Sequence, residues 1–97
     1  MEIKTTKYGL CIVELGTHKN NDNLYVSLVH ECGEPIADIS KNIIPLIAKD
    51  EFCANIFNIS PALWNDIMAS GFFEPTGENV TSGYCEYPIF KLVKQVA

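Results

Sequence analysis

The stretch SPALWNDIMASGFF, residues 60–73, carries the clearest structural signal in the chain. A serine followed by proline is typical of a helix start, because the serine side chain caps free N–H groups and proline fits the first helical position. Four apolar side chains then share one face at i, i+4 spacing: Leu63, Trp64, Ile67 and Met68. Gly71 suits the residue that closes a helix in a left-handed conformation. We therefore predict one principal helix over residues 61–70, with this apolar stripe in the core.

Strand patterns surround the helix on both sides. The segments are GLCIVEL (9–15), apolar on both faces, LYVSLVHE (24–31), PIADISKNI (35–43), with one wet face, and YPIFKLVKQV (87–96). The first two strands are joined by Gly-, Asn- and Asp-rich residues that favour a hairpin turn. Residues 46–58 are compatible with a helix, a strand or irregular chain. We predict an α+β fold, a mainly antiparallel four- or five-stranded sheet packed against the one helix.

Size and composition favour one small globular domain spanning residues 1–97. The chain has 97 residues, of which 47% are hydrophobic and 20% charged, so neither disorder nor a membrane protein is indicated. Its apolar runs are too short to span a bilayer. The first residues, MEIKTTKYGL, lack the apolar core and cleavage site of a signal peptide, so we expect a cytoplasmic protein.

The charge of the chain limits the partners it can bind. Twelve carboxylates against seven basic residues give a net charge of −5, and the basic residues are scattered, so direct binding to nucleic acid is disfavoured. Carboxylates at Glu31, Glu34, Asp50 and Glu51 form a loose cluster in the sequence. Two interpretations stay open for them, a solvated surface or an acidic face that binds a basic partner protein, as a DNA mimic does.

Cysteine spacing indicates neither a metal site nor a redox motif. Cys11, Cys32, Cys53 and Cys85 stand singly, without a C-x-x-C pair, and we expect them to be reduced and buried as small hydrophobes. His30 lies two residues before Cys32, on the same face of a strand, but no second ligand pair follows. No catalytic group, cofactor or metal site is predicted, and we expect the protein not to be an enzyme.

Residues 72–88, FFEPTGENVTSGYCEYP, have the composition of a long loop. The segment lacks the lysine of a phosphate-binding loop. One explanation is structural, with glycines and prolines shaping the turns and tyrosines holding the loop against the sheet. The other explanation is functional. In that case Phe73, Tyr84 and Tyr87 are partly exposed anchors for a protein partner, because aromatic side chains are frequent hot spots.

Three blocks of the sequence carry a family resemblance: N-L-x-V-x-L-V-x-E-x-G-E-P-I-A (23–37), S-G-F-F-E-P-T-G (70–77) and S-G-Y-C-E-Y-P-I-F (82–90). With the tryptophan-containing helix between them, they resemble a family of small proteins of bacterial phages, plasmids and integrative elements, classed as a domain of unknown function. The family offers no known catalytic residues.

The resemblance implies a phage or mobile-element protein that acts by binding a host or element protein. The sharpest version is an anti-defence protein of the anti-CRISPR type, which inhibits a bacterial effector nuclease; a small acidic protein suits the blocking of a basic groove. The alternative is a housekeeping or regulatory module of the element that forms a homodimer through an exposed sheet edge.

Overall fold

The computed structural model of the protein describes residues 1–93. Its elements are β1 (Glu2–Thr5), β2 (Gly9–Thr17), β3 (Leu24–His30), β4 (Pro35–Asp38), β5 (Ser40–Lys41), β6 (Glu51–Ala54), a 3₁₀ helix (Ile56–Asn58), α1 (Pro61–Ala69), β7 (Phe73–Ser82) and β8 (Cys85–Leu92). The strands form two four-stranded sheets, ordered β1-β2-β3-β4 and β5-β6-β8-β7, in which all pairs are antiparallel. The predicted α+β class is confirmed, although two sheets replace the single predicted sheet.

The two sheets separate at Ile39, between β4 and β5. The prediction of one continuous strand over residues 35–43 is wrong, because the chain leaves the first sheet at this residue. The Ile39 N–H donates to the Val26 carbonyl of β3 at 2.9 Å, and the Ile39 carbonyl accepts from the Asn55 N–H, next to β6, at 2.9 Å. Ile39 is fully buried. One residue therefore hydrogen-bonds to both halves of the molecule.

The main core lies between the inner faces of the two sheets and the helix. Leu28 of the first sheet, Phe52 of the second and Ile67 of α1 belong to one cluster of buried side chains. Trp64 packs edge to face on Phe90, with ring centroids 5.3 Å apart. The predicted inward direction of the apolar stripe on the helix is confirmed by these contacts.

The helix begins and ends close to where the sequence predicts. The Ser60 hydroxyl accepts from the Leu63 N–H at 3.3 Å, and Pro61 occupies the first turn. Gly71 follows the helix with φ of 76°, in the left-handed region that glycine adopts without strain. Within residues 1–93, no helix combines the length and the apolar character needed to cross a membrane.

Residues 72–88 form a β-hairpin rather than a loop. Strands β7 and β8 pair along most of their length, and residues 83–84 make the tight turn between them. The register shifts between Pro75 and Asn79, where Gly77 has φ of 89°. The glycine and threonine content therefore marks an irregularity inside a strand, where one strand carries extra residues. Local composition does not distinguish such a bulge from a loop.

Other differences concern the ends and faces of strands. The sequence predicts that residues 9–15 are buried on both faces, but Glu14 and Leu15 are exposed. Glu14 lies on the face of the first sheet opposite to Cys11 and Val13, whereas Leu15 shares their face and lies further along β2, beyond the buried part of the strand. The undecided segment 46–58 contains β6 and the 3₁₀ helix. The predicted extension of the last strand to residue 96 lies outside the described residues.

The four cysteines occupy different environments. Cys11 and Cys53 are buried, as predicted, and burial raises the pKa of the Cys53 thiol. Cys85 is partly exposed. The prediction of burial is wrong for Cys32, because this residue lies in the turn between β3 and β4 and not within a strand.

The substitution Ile67→Ala tests the packing of the helix. Ile67 has no exposed surface, so we expect a loss of roughly 2–5 kcal/mol in the free energy of unfolding, measured by chemical denaturation. Leu15→Ala is the control, because it removes a similar number of side-chain atoms from a residue that is 44% exposed and lies outside the core. Equal effects of the two substitutions would contradict the assigned core.

Thiol reactivity tests the four cysteine environments. With an aromatic disulfide reagent, we expect Cys32 to react first in the native protein, and Cys11 and Cys53 to react only on unfolding, because the thiolate must form and be reached. Absorbance gives the rates, and mass spectrometry identifies the labelled residue. The fast phase should disappear in Cys32→Ser; a fast phase that persists in this variant would contradict the assignment.

Candidate protein-binding surface

The four carboxylates singled out in the sequence lie in two places. Glu31 and Glu34 are exposed in the turn between β3 and β4, which closes with a 2.7 Å hydrogen bond from the His30 N–H to the Glu34 carbonyl. Asp50 is exposed and Glu51 partly exposed at the start of β6. The four carboxylates therefore do not form one cluster in space: two of them lie on the first sheet and two on the second.

The three aromatic side chains proposed as anchors differ in exposure. Phe73 is buried and packs edge to face on Phe52 at 5.4 Å. Tyr87 is also buried and packs edge to face against Phe57 at 5.2 Å. The expectation of partial exposure is wrong for Phe73 and Tyr87, because both lie within paired strands and face apolar clusters. Tyr84, in the hairpin turn, is fully exposed.

A second, smaller apolar cluster covers the outer face of the second sheet. Its buried members are Cys53, Val80, Tyr87 and Ile89, with Ile43, Leu46 and Cys85 packed against them. The segment of residues 43–48, which connects β5 to β6, therefore lies over this outer face. Two of its side chains remain outside the cluster: Ile44 is 44% exposed and Ile47 is 100% exposed. Two isoleucines on one short loop form an apolar surface that water contacts directly.

An open depression of about 440 Å³ lies beside this loop. Residues 44–48 and the side chains of Val80 and Ile89 supply its apolar lining, and Glu51 and Glu78 supply its carboxylates. We call it the loop depression. Its volume falls within the range of roughly 300–1,000 Å³ that pockets for small molecules occupy.

Asn23 holds the loop beside the depression in place. This asparagine is only 5% exposed. Its Oδ1 accepts from the Leu46 N–H at 2.9 Å, and its Nδ2 donates to the Ile44 carbonyl and to Asn42 Oδ1. Lys49 Nζ donates to the Leu46 carbonyl at 2.7 Å. Because buried polar groups are costly to leave unpaired, these bonds fix the loop with its isoleucines outward.

The charged side chains that line the loop depression are both carboxylates, Glu51 and Glu78. Among residues 1–93 a single ion pair forms, between Lys91 Nζ and Glu74 Oε1 at 3.2 Å. Lys49 is engaged by backbone carbonyls of the loop and of Asn21. Glu51 and Glu78 form no ion pair in the described part of the chain, although Lys91 is the cross-strand neighbour of Glu51 as well as of Glu74. No lysine or arginine of these residues lines the depression, so both charged side chains of its lining are negative.

The His30 imidazole contacts Cys32 in the turn between β3 and β4. His30 Nδ1 lies 3.0 Å from Cys32 Sγ and accepts from the Cys32 N–H at 3.1 Å. The prediction that both side chains lie on the same face of a strand is wrong, because β3 ends at His30 and Cys32 lies in the turn. The hydrogen bonds between the two residues shape this turn. Over residues 1–93, no group of three or more His, Cys, Asp or Glu side chains converges as metal ligands would.

Sequence reasoning missed Ile44, Ile47, Asn23 and Glu78 as parts of a surface. The apolar run IIPLI (43–47) contains a proline at its centre and lies between asparagine and lysine residues. A short apolar run interrupted by proline in a polar context is a signal for an exposed apolar loop. Nothing local shows that Asn23, about twenty positions earlier, is its support.

The substitution Asn23→Ala tests this support. It leaves the Leu46 N–H and the Ile44 carbonyl without their partner, so we expect roughly 1–3 kcal/mol of destabilisation and faster amide hydrogen exchange in residues 43–48. Exchange is measured by NMR. Asn65→Ala is the control, since Asn65 is exposed on the helix. Unchanged exchange at Leu46 would contradict the role of Asn23.

Comparisons with known proteins give no relative to this chain: no family model, no curated protein and no solved structure matches it. The resemblance to a mobile-element family therefore stays a prediction.

Proposed function

We propose that the protein is a non-enzymatic phage or mobile-element protein that acts by binding another protein. The observation that carries the proposal is the fixed, outward position of Ile44 and Ile47 beside the unpaired carboxylates of the loop depression. Exposed apolar groups rimmed by charge are characteristic of interaction surfaces. Such groups lower solubility, so their maintenance by buried hydrogen bonds favours a binding role.

The sharpest version of the proposal is inhibition of a bacterial defence nuclease, such as a CRISPR effector, in the host cytoplasm. The family resemblance supplies this setting. The physical support is electrostatic: Glu31, Glu34 and Asp50 are exposed, and exposed carboxylates steer an acidic protein toward a basic nucleic-acid groove. Direct binding of this chain to nucleic acid is disfavoured by the same charges.

The sheet edges favour a different partner over a second copy of the chain. Edge strand β7 carries Pro75, the irregularity at Gly77 and the exposed side chains of Glu74 and Glu78. Edge strand β1 has only four residues. Proline, bulges, charges and short length all oppose pairing between edges. These features weigh against the alternative, a housekeeping module that forms a homodimer through an exposed sheet edge.

The function is tested by expressing the protein in bacteria that restrict phage with a defence nuclease. We expect phage growth to recover, and the purified pair to associate quickly at low salt and more slowly as ionic strength rises, because a Debye length of about 10 Å at 0.1 M screens exposed charges. Association is measured by surface plasmon resonance. Size-exclusion chromatography with light scattering should show a monomer in the absence of the nuclease.

Paired substitutions locate the contribution of charge. Each of two double variants removes two charges from a predicted pair: the first combines Glu31→Gln with Glu34→Gln, and the second combines Asp50→Asn with Glu51→Gln. The control is a double variant on the first sheet, Glu2→Gln with Glu14→Gln. If one of the two predicted pairs lies in the contact surface, its variant should lose more affinity for the nuclease than the control variant does. An equal loss of affinity in all three variants would show that only the net charge of the protein matters. No recovery of phage growth, together with no nuclease in a pull-down, would overturn the anti-defence proposal, and a stable homodimer would favour the alternative.

A further inference from the structure

We propose that the loop depression binds a segment of a partner protein in which apolar side chains alternate with, or are flanked by, lysine or arginine. This inference rests on the proposed function, because it specifies the chemistry of the partner at one surface. It follows from three properties of the depression: its apolar walls, its fixed shape and its unbalanced charge.

The apolar walls require an apolar partner. Ile47 is 100% exposed and Ile44 is 44% exposed, while Val80 and Ile89 line the floor. Removing these surfaces from water is favourable in proportion to the area covered. A volume of about 440 Å³ accommodates a few side chains of a bound segment, and it is too small for a folded domain.

The shape of the depression is set before any partner binds. Asn23 bonds to both the Leu46 N–H and the Ile44 carbonyl, so the backbone on either side of Pro45 is held. Lys49 adds a bond to the Leu46 carbonyl. A surface that is ordered in advance loses little conformational entropy on binding. The isoleucines are therefore presented to a partner, and they do not fold inward in its absence.

The charge of the depression selects a basic segment. Glu51 and Glu78 line it and have no ion-pair partner within residues 1–93. In the described part of the chain, no lysine or arginine is among the residues that line the depression: Lys91, the cross-strand neighbour of Glu51, pairs with Glu74, and Lys41 lies over the ring of Tyr87 with its Nζ 5.5 Å from the centroid. A lysine or arginine beside the apolar anchor would meet these carboxylates, whereas an acidic segment would be repelled.

The test is a titration of the full-length ¹⁵N-labelled protein with two synthetic peptides. One alternates leucine with lysine, and its twin has glutamate in place of each lysine. We expect the lysine peptide to shift the amide signals of residues 44–48 and 78–80, and the glutamate twin to leave them unchanged at the same concentration. Shifts confined to other residues, or equal shifts with both peptides, would overturn the proposal.

Variants separate the apolar and the charged contributions. Ile47→Ser replaces a fully exposed side chain and should leave the fold intact, but it should lower the affinity for the lysine peptide by about tenfold or more. Glu51→Gln with Glu78→Gln should weaken binding and flatten its dependence on salt. Glu2→Gln with Glu14→Gln, the control pair, should change affinity little. An equal loss in the control pair would overturn the role of the depression.

Two further outcomes distinguish this inference from the proposed function. If the amide signals of residues 44–48 shift with the concentration of the protein alone, a second copy occupies the depression, and the proposal of a basic partner fails. If phage growth recovers in cells that express the Ile47→Ser variant as well as the natural chain, the anti-defence function stands and the depression is not its binding surface. If the peptide binds as expected but no defence is inhibited, the depression keeps its specificity and the anti-defence proposal fails.

Discussion

The backbone of Ile39 links the two halves of the molecule, and the remaining architecture depends on this link. Its N–H bonds to Val26 in the first sheet and its carbonyl accepts from Asn55 beside the second. Ser40 strengthens the same point, because its Oγ accepts from the Val26 N–H at 2.9 Å. A chain that crosses between sheets leaves the ladder of each sheet, and every buried polar group that it left unpaired there would cost about as much as a lost hydrogen bond. Here those groups are satisfied, so the inner faces of both sheets share one core with the helix.

The elements that the sequence predicts well are those whose causes lie within a few residues. Ser60, Pro61 and Gly71 define the helix through contacts no more than one turn away. The split at Ile39 is invisible locally, because the alternation of side chains continues through it, and only the partners of the strand change. The hairpin of β7 and β8 was hidden for a related reason. Its glycine-containing bulge has the composition of a loop, and the strand exists because β8 pairs with it.

The candidate surface was predicted only in part. Exposed carboxylates such as Glu31 and Glu34 follow from residue type, since charged side chains are seldom fully buried. The exposure of an aromatic side chain cannot be predicted from its residue type in the same way. Phe73 and Tyr87 are buried because they lie in paired strands that are covered on the faces they occupy, whereas Tyr84 is exposed because it lies in the hairpin turn. The apolar loop was missed because its exposure depends on Asn23, whose hydrogen bonds reach it across about twenty positions of sequence.

The arrangement around Asn23 fits the proposed binding role, because it holds an apolar side chain in water. A buried asparagine contributes little hydrophobic free energy, and the loop it supports exposes Ile47 fully to water. A polar residue in place of Ile47 would remove that exposed surface without disturbing these hydrogen bonds, because none of them involves Ile47. An exposed apolar side chain lowers solubility, and such a side chain on a loop that hydrogen bonds hold in place is expected where the surface binds a partner. Glu51 and Glu78 add negative charge to the lining of that surface. A surface with a defined shape and a defined charge discriminates among partners more strongly than exposed isoleucines alone.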